Sequence, residues 1–478
     1  MFDEGDELDR LEVVESERLL RQSEFIRDAR IEVKPVDGTS DSVDVVVSTL
    51  DIWTFAPGFT ITGSRVKITF TEYNFLGVGH RFKNTGVYNY KNASTDPIYL
   101  EGSYLINNIA NTFISSEVSY RVLQNDNLKA ISFNRPFYST LTDWAGGVSV
   151  ANRIVKDSIE FKESGFENYK YSSWISSVWL GRSFALKKGP TIEEKATKGV
   201  ISLAYTRTRY SSLAPPSQNL ESYFVPVDLY LVSVGLTNRK YFTDRYIFGF
   251  GEKEDVPTGR LLEVSTGYEQ KELTGRNYFD VSIGSSEYIG TNGYLASRIT
   301  FGTFISDRGL TQSLINADIF AFSRLFKFRK AKIRWFGYSN FLYGINRDDG
   351  EFISLRRGNG IPGFKSEIPE GTARFTFNMR FLFFNRLEWL GFRVTPVLFL
   401  GMGMIGDDET PLYNAKIYKG FGAGVAVTNV FLIQSNFEIL IGFYPGASTG
   451  QLRFNPVDVW NFQFKDYAFD KPSVVAFE

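Results

Sequence analysis

The stretch TARFTFNMRFLFF at positions 372–384 decides the fold. Its apolar residues occupy alternate positions from Ala373 to Phe383, and polar residues occupy most of the positions between them. A period of two is the repeat of a β-strand, whose successive side chains point to opposite faces. The polar face carries Arg374 and Arg380, which would be costly in a small dry core. A transmembrane barrel accommodates both faces, because lipid meets the apolar one and a hydrated lumen meets the polar one.

The same alternation recurs through most of the chain. Segments of this kind follow one another from about Phe59 and are separated by clusters of Gly, Asn, Asp and Pro. The pattern predicts roughly 16 to 19 strand-like segments. Such an unbroken run of strands exceeds a usual sandwich domain, and this favours a membrane barrel over a soluble propeller or a multi-sandwich protein.

Composition supports a membrane barrel and excludes several other classes. The 478 residues include 44 Phe, 25 Tyr and 7 Trp, and barrels place aromatic girdles at both lipid interfaces. Lys plus Arg is 53 and Asp plus Glu is 54, which gives no indication of nucleic-acid binding. The absence of Cys excludes disulfides. No apolar run reaches the roughly 20 residues of a helical span.

The N-terminal stretch differs from the rest. Residues 16–23 predict a short helix with Ser16 as its N-cap, and alternating residues at 29–33 and 42–49 predict a hairpin after it. Met1 is followed by an acidic stretch with no apolar segment of a signal peptide. An exported barrel requires a signal peptide, so we expect that an N-terminal portion precedes this chain.

Several stretches resemble one known superfamily. SERLLRQSEFIRDARIEV at 16–33 and DSVDVVVSTLDIWTF at 41–55 resemble the second half of a POTRA domain that runs into a barrel. TEYNFLGVGH at 71–80, SFNRPFYS at 132–139 and DWAGG at 143–147 resemble segments of the BamA/TamA outer-membrane assembly superfamily. The resemblance extends over nearly the whole chain.

This resemblance implies an all-β fold, a transmembrane antiparallel β-barrel of 16 strands. Residues 58–478 would form the barrel, in the bacterial outer membrane. Residues 1–57 would form a partial α+β POTRA segment in the periplasm. The implied partners are outer-membrane lipid, unfolded outer-membrane or secreted client proteins, and periplasmic or lipoprotein accessory subunits. Nucleic acid is not among them.

The most specific mark of the superfamily is a loop that folds into the lumen with a Val/Leu-Arg-Gly-Phe/Tyr motif. Here RRGNGIPGF occupies 356–364, and Pro362 stands at the family's arginine position. Because proline supplies no charge but fixes φ, we expect packing to hold this loop more than an ion pair. The predicted loop residues are Arg356, Arg357, Gly360, Ile361, Pro362, Gly363 and Phe364.

In the superfamily the first and last barrel strands meet at a weak lateral junction. The resemblance implies that residues 65–72 and 471–477 form it here, the latter within the terminal KPSVVAFE. Pro472 cannot donate to a β-ladder, which would shorten pairing on that side, unless it simply starts the strand. The predicted junction residues are Val66, Ile68, Phe70, Pro472, Val474 and Phe477.

The motifs for enzyme chemistry are not persuasive. GASTG at 446–450 matches a nucleophile-elbow pattern, but Ser448 lies in a Gly-rich connection and the only histidine, His80, is far away in sequence. The acidic clusters at 348–351 and 406–409 fit solvated loop tips better than a metal site. We therefore expect no enzyme activity, no cofactor and no metal.

The leading functional hypothesis is a barrel that inserts or translocates proteins at the outer membrane through its lateral junction. Incoming strands would be templated there by β-augmentation. The alternatives are a passive channel or porin and a dedicated secretion pore for one partner. The POTRA-like segment argues against a porin, but the sequence does not separate general assembly from dedicated secretion.

Overall fold

The fold is seen in a computed structural model of the chain. It describes residues 2, 4–36, 38, 42–61, 64–90, 98–123, 125–161, 165–187, 189, 192–212, 224–247, 249–272, 274–307, 309–329, 331–348, 351–355, 359–364, 370–385, 388–429, 437–445, 452–457 and 467–477.

A helix and a two-stranded sheet come first. Helix α1 covers Arg10–Gln22, and strands β1 (Ile26–Pro35) and β2 (Val43–Asp51) pair antiparallel. The helix begins earlier than the sequence indicated, because the side chain of Asp9 accepts a hydrogen bond from the backbone N–H of Leu11 at 2.8 Å. The predicted cap, Ser16, therefore lies inside the helix.

One large antiparallel sheet closes on itself and contains β3 to β24 in chain order. The prediction of a large all-β structure is thus confirmed. The barrel strands are β3 Phe55–Ile61, β4 Arg65–Phe75, β5 His80–Asn89, β6 Ile98–Ile106, β7 Ser115–Val122, β8 Asp126–Arg135, β9 Trp144–Phe161, β10 Gly165–Ala185, β11 Thr197–Ser212, β12 Val227–Arg245, β13 Lys253–Lys271, β14 Gly275–Tyr288, β15 Gly293–Ser306, β16 Gly309–Ser323, β17 Phe326–Phe328, β18 Ala331–Ile345, β19 Ala373–Phe384, β20 Glu388–Trp389, β21 Phe392–Gly406, β22 Tyr418–Asn429, β23 Phe437–Phe443 and β24 Leu452–Val457.

The expectation of 16 strands is not confirmed. The closed sheet contains more described strands, although β17 and β20 are only three and two residues long. β17 extends the hairpin in which β16 pairs with β18, and β20 extends the hairpin in which β19 pairs with β21. A short α2 (Ile192–Ala196) and two 3₁₀ turns (Ile109–Asn111 and Leu412–Asn414) lie between strands.

Alternation along each strand separates an outer from an inner face. In β12 the exposed positions are Tyr230, Val232, Val234 and Leu236, whereas the buried Leu231 and Ser233 alternate with them. In β21 the exposed set is Leu398, Leu400 and Met402. A continuous apolar exterior of this kind is rare on a monomeric soluble protein.

The barrel has two different ends. Helix α1 lies at the turn end, where β4 meets β5, β8 meets β9, and β12 meets β13. The long connection from β18 to β19 leaves from the opposite, loop end. These two names are used below.

The junction that closes the sheet differs from the prediction. It joins β24 to β3, so Val66, Ile68 and Phe70 lie one strand away, in β4. In β4 the side chains of Ile68 and Phe70 point outward and are exposed. Ile68 is paired with Phe59 of β3.

The predicted closing strand 471–477 is wrong. Pro472, Val474 and Phe477 belong to an extended segment without strand pairing, and this segment lies inside the barrel. Leu452–Val457 occupies the closing position instead. The terminal segment packs on the inner wall instead of pairing at the edge, because inward-facing glycines leave space there for its side chains.

Helix α1 is fixed to the turn end by buried charges. Arg18 is almost fully buried, pairs with Glu15 at 2.8 Å and donates to the carbonyl oxygen of Tyr138 at 2.9 Å. Its guanidinium lies 4.1 Å from the ring centroid of Tyr241 in β12. Burial acts to raise the pKa of the Glu15 carboxyl group, but the hydrogen bonds from Arg18 and Ser139 and the charges of Arg18 and Arg239 together outweigh it, so the pKa is lowered.

We expect Arg18→Ala to release helix α1, because removing one partner of a buried pair costs about 3–5 kcal/mol. Arg30→Ala is the control, since Arg30 is exposed and surface pairs contribute about 0–1 kcal/mol. The measurement is the rate of proteolysis within residues 10–22 in the folded protein. Equal rates for the two variants would show that the buried pair does not hold the helix.

Candidate functional site

The loop predicted to enter the lumen packs onto the inner wall. We call its described residues, 353–355 and 359–364, the inward loop. Ile353, Leu355, Ile361 and Phe364 are buried and share one apolar cluster with residues of the wall. The loop begins at the loop end, after β18, and returns to β19.

Glycines on two neighbouring strands make room for Ile361. A Cβ atom at Gly401 or Gly403 of β21 would lie 3.2 Å from the side chain of Ile361, and one at Gly420 of β22 would lie 3.3 Å from it. Such separations are tighter than ordinary van der Waals contact. The glycines therefore let the backbone of the wall lie closer to the inward loop than it could if these positions carried side chains.

The tip of the loop is a tight turn with an aromatic anchor. Gly363 has φ +71°, a left-handed conformation that favours glycine, and it turns Phe364 toward the wall. The ring of Phe364 packs edge-on against Tyr418 and Tyr444, with centroids 5.7 and 5.8 Å away. The Tyr444 hydroxyl donates to the carbonyl oxygen of Pro362 at 2.7 Å. Pro362, at the family's arginine position, thus contributes a backbone acceptor.

Inward side chains of β19 hold the loop backbone. Arg374 donates to the carbonyl oxygen of Ser354 at 3.1 Å, Thr376 to that of Asn359 at 2.7 Å, and Asn378 to that of Gly360 at 3.0 Å. Arg374 is only 1% exposed. The sequence predicts this arginine in a hydrated lumen, but the inward loop covers it and supplies one of its hydrogen-bond acceptors. The side-chain oxygen of Asn340 in β18 is another, at 3.2 Å.

A buried ion pair lies within the wall itself. Arg380 of β19 and Glu438 of β23 are 2.7 Å apart, and both are buried. Neither belongs to the inward loop, so this pair braces two strands of the wall. Arg356 and Arg357, the nearest cations in the loop sequence, lie outside the described residues.

A second segment, residues 467–477, lies on the neighbouring stretch of the inner wall, from β12 to β18. We call it the C-terminal tail. Tyr467 and Phe469 are almost fully buried in a cluster with Phe137 and Trp179. Farther along, the backbone N–H of Val475 donates to the Tyr278 hydroxyl at 2.9 Å. The inward loop and the tail both lie inside the barrel, against the inner wall.

The sequence analysis missed several of these residues. The pattern did not indicate that Tyr418 and Tyr444 contact the inward loop, or that Glu438 pairs with Arg380 inside the barrel. It also did not indicate that Tyr467 and Phe469 are buried anchors. The one available signal was the run of alternate glycines in β21 and β22, which predicts a close approach of another segment.

Two searches of the described residues give negative results. No helix among them has the length and apolar character to cross a membrane. No group of three His, Asp or Glu side chains lies close enough in this part of the chain to bind a metal ion together. The pattern GASTG at 446–450 lies outside the described residues.

We expect Phe364→Ala to lower the free energy of unfolding by about 3–5 kcal/mol, because it removes a buried ring and leaves a cavity. Phe352→Ala is the matched control in the same connection, since Phe352 is 46% exposed and has less to lose. Urea unfolding in micelles, with heat-modifiable migration as the folding readout, measures both. If Arg356→Ala or Arg357→Ala proves more damaging than Phe364→Ala, an ion pair holds the loop instead.

Comparison with known proteins finds similarity at the level of structure. No family model and no curated relative matches the sequence. The chain is similar to BamA from Haemophilus ducreyi lacking POTRA domains 1–3, with 10% identity and a TM-score of 0.44 over 95% of this chain and 79% of that one. It is similar to CdiB from Escherichia coli, with 14% identity and a TM-score of 0.43 over 93% and 67%. It is also similar to CdiB from Acinetobacter baumannii, with 11% identity and a TM-score of 0.44 over 90% and 64%.

Proposed function

We propose that this chain is a bacterial outer-membrane barrel that inserts or translocates client proteins through a lateral opening between β24 and β3. Two observations together carry the proposal: the inward loop and the tail cover parts of the inner wall, and the closing junction is made of short strands. The first argues against passage straight through the barrel, and the second offers another route.

The outer surface supports a membrane location. Outward positions of β12 and β21 are apolar, while the inner positions of β19 carry Arg374, Thr376, Asn378 and Arg380. This arrangement is inverted relative to a soluble protein and matches a barrel surrounded by lipid. Helix α1 and the β1–β2 sheet lie together at the turn end, which we assign to the periplasm, where accessory subunits would bind.

The occupied interior supports protein handling over passive diffusion. The inward loop covers β19, β21 and β22, and the tail covers strands from β12 to β18. A porin of this strand number would enclose an aqueous channel. Here the inward loop and the tail lie against the inner wall that would line such a channel.

The closing junction supports a lateral route. β24 and β3 are six and seven residues long, whereas β12 and β13 pair over nineteen positions. Each closing strand contains a proline, Pro456 and Pro57, which cannot donate to a ladder. Among the described residues, no more than six positions of β24 and seven of β3 are available to pair across this junction. A separated edge binds an extended client segment by β-augmentation.

The proposal requires no cofactor and no catalytic turnover. A dedicated secretion pore for one partner would use the same junction and remains the second candidate. The two differ in the number of clients: loss of the protein would deplete many outer-membrane proteins in the first case and one exported protein in the second.

We expect Leu400→Arg to lower the free energy of unfolding in lipid bilayers by about 2–4 kcal/mol, because it places a charge on the lipid face near the middle of β21. Tyr413→Arg, in the 3₁₀ turn at the loop end, is the control and should change it by about 0.5 kcal/mol or less. Urea titration in vesicles measures both. Equal effects would argue that Leu400 does not face lipid.

A disulfide across the closing junction should abolish client insertion. Because the chain has no native cysteine, Phe59→Cys can be scanned against cysteines at positions 452–457. Folded outer-membrane proteins in the membrane are then quantified by heat-modifiable migration, before and after a reductant. We expect loss in the oxidised state and recovery on reduction, since a covalent bond prevents the strands from separating.

The control is the double variant Phe59→Cys/Ile68→Cys. These residues are paired between β3 and β4, so their disulfide leaves the closing junction free. It should form equally well and leave insertion intact. Full activity with the junction locked would refute the lateral route.

A further inference from the structure

The C-terminal tail crosses the strands of the wall instead of joining them. Tyr467 lies beside Gly284 of β14, Val475 beside Gly302 of β15, and Phe477 beside Gly344 of β18. No strand is assigned to the tail residues that the structure describes, 467–477. A segment that crosses strands in this way cannot form a continuous ladder with any of them. Its attachment must come from individual side chains.

Four side chains of the tail lie over inward glycines. A Cβ atom at Gly284 would lie 2.6 Å from the Tyr467 ring, and one at Gly344 would lie 2.7 Å from the Phe477 ring. At Gly302 the distance to Val475 would be 3.3 Å. Gly235 of β12 contacts the Phe469 ring in the same way. Four strands thus leave four recesses on one surface, each of which receives one side chain.

Few hydrogen bonds fix the tail backbone. Thr237 donates to the carbonyl oxygen of Tyr467 at 2.7 Å, and the N–H of Val475 donates to Tyr278 at 2.9 Å. The Tyr467 hydroxyl adds a bond to the carbonyl oxygen of Ser285 at 3.0 Å. Recognition therefore depends on the spacing of the anchors, Tyr-x-Phe and Val-x-Phe, because alternate residues of an extended chain share a face.

The tail leaves part of its site empty. A cavity of about 420 Å³ lies beside residues 474–477 and is lined also by Gln312, Arg347 and Glu351. Arg347 lies 4.1 Å from the centroid of the Phe477 ring. A volume of this size is typical of a ligand pocket. The site therefore admits a larger segment than the tail that occupies it.

We propose that the inner wall from β12 to β18 is a binding site for an extended peptide with aromatic residues at alternate positions, and that the C-terminal tail is its displaceable resident occupant. The ligand class is an unfolded protein segment with the Tyr-x-Phe and Val-x-Phe spacing. Use of the site by client proteins rests on the proposed function. Binding itself does not, because the recesses belong to the wall.

The test uses the full chain in micelles and a fluorescent peptide, DYAFDKPSVVAFE, which is residues 466–478. Two variants change the attachment of the tail in opposite directions. Tyr467→Ala/Phe469→Ala loosens the tail. Gly302→Cys/Val475→Cys locks it, because their Cβ atoms would lie 3.4 Å apart, close to disulfide range.

We expect the loosened variant to bind the peptide about tenfold more tightly than the wild type, since apparent affinity scales with the fraction of empty sites. The oxidised locked variant should bind no peptide until it is reduced. A control peptide with one glycine inserted between its Tyr-Ala and Phe should bind all variants equally weakly. Equal affinity of the first peptide for the oxidised and reduced locked variant would overturn the proposal.

Two further measurements keep the result decisive. If the loosened variant does not fold, the oxidised and reduced locked variant still decides the question. If no disulfide forms, labelling of Val475→Cys by a soluble maleimide, compared with the exposed Ser473→Cys, tests the position of the tail. Equal labelling would show that the tail does not lie on the wall. None of these readouts involves client insertion, so they stand apart from the test of the closing junction.

Discussion

A closed sheet of this many strands encloses more space than the side chains of its own wall can fill. That constraint shapes the rest of the molecule. Water can occupy the space, as in a porin, or the chain can return into it. This chain returns twice, as the inward loop from the loop end and as the C-terminal tail after β24. In both places the wall carries glycines on its inner face, at Gly401, Gly403 and Gly420 for the loop and at Gly284 and Gly302 for the tail.

The alternation of apolar and polar residues was sufficient to predict the all-β class and the outward face of strands such as β19. β19 shows why: its arginines lie on the face opposite to Phe375, Phe377, Phe381 and Phe383, both in the sequence pattern and in the structure. The same pattern could not assign Arg374 to a buried site. Its burial comes from Ser354 and the rest of the inward loop, which no local period encodes.

The closing strand illustrates a different failure. KPSVVAFE has the composition of a strand with a terminal aromatic residue, and local composition does not say whether a segment pairs at an edge or lies across a wall. The choice depends on long-range complementarity, here between Val475 and Gly302 and between Phe477 and Gly344. Leu452–Val457, a shorter and less regular segment, takes the edge instead. The helix start was missed for a local reason, because Asp9 offered an earlier cap than Ser16.

An occupied inner wall and a short junction are complementary features of this barrel. The inward loop and the tail cover parts of the inner wall of the resting barrel, while the described residues of β24 and β3 that close the wall are few. The most direct test is a distance measurement by spin labels at Phe59 of β3 and Ile441 of β23, with Phe59 and Ile68 as the reference pair. With a client stalled during insertion, the account predicts that the first distance grows by about 5 Å or more, the spacing of one added strand, while the reference distance stays constant. An unchanged β3–β23 distance in the presence of a stalled client would contradict it.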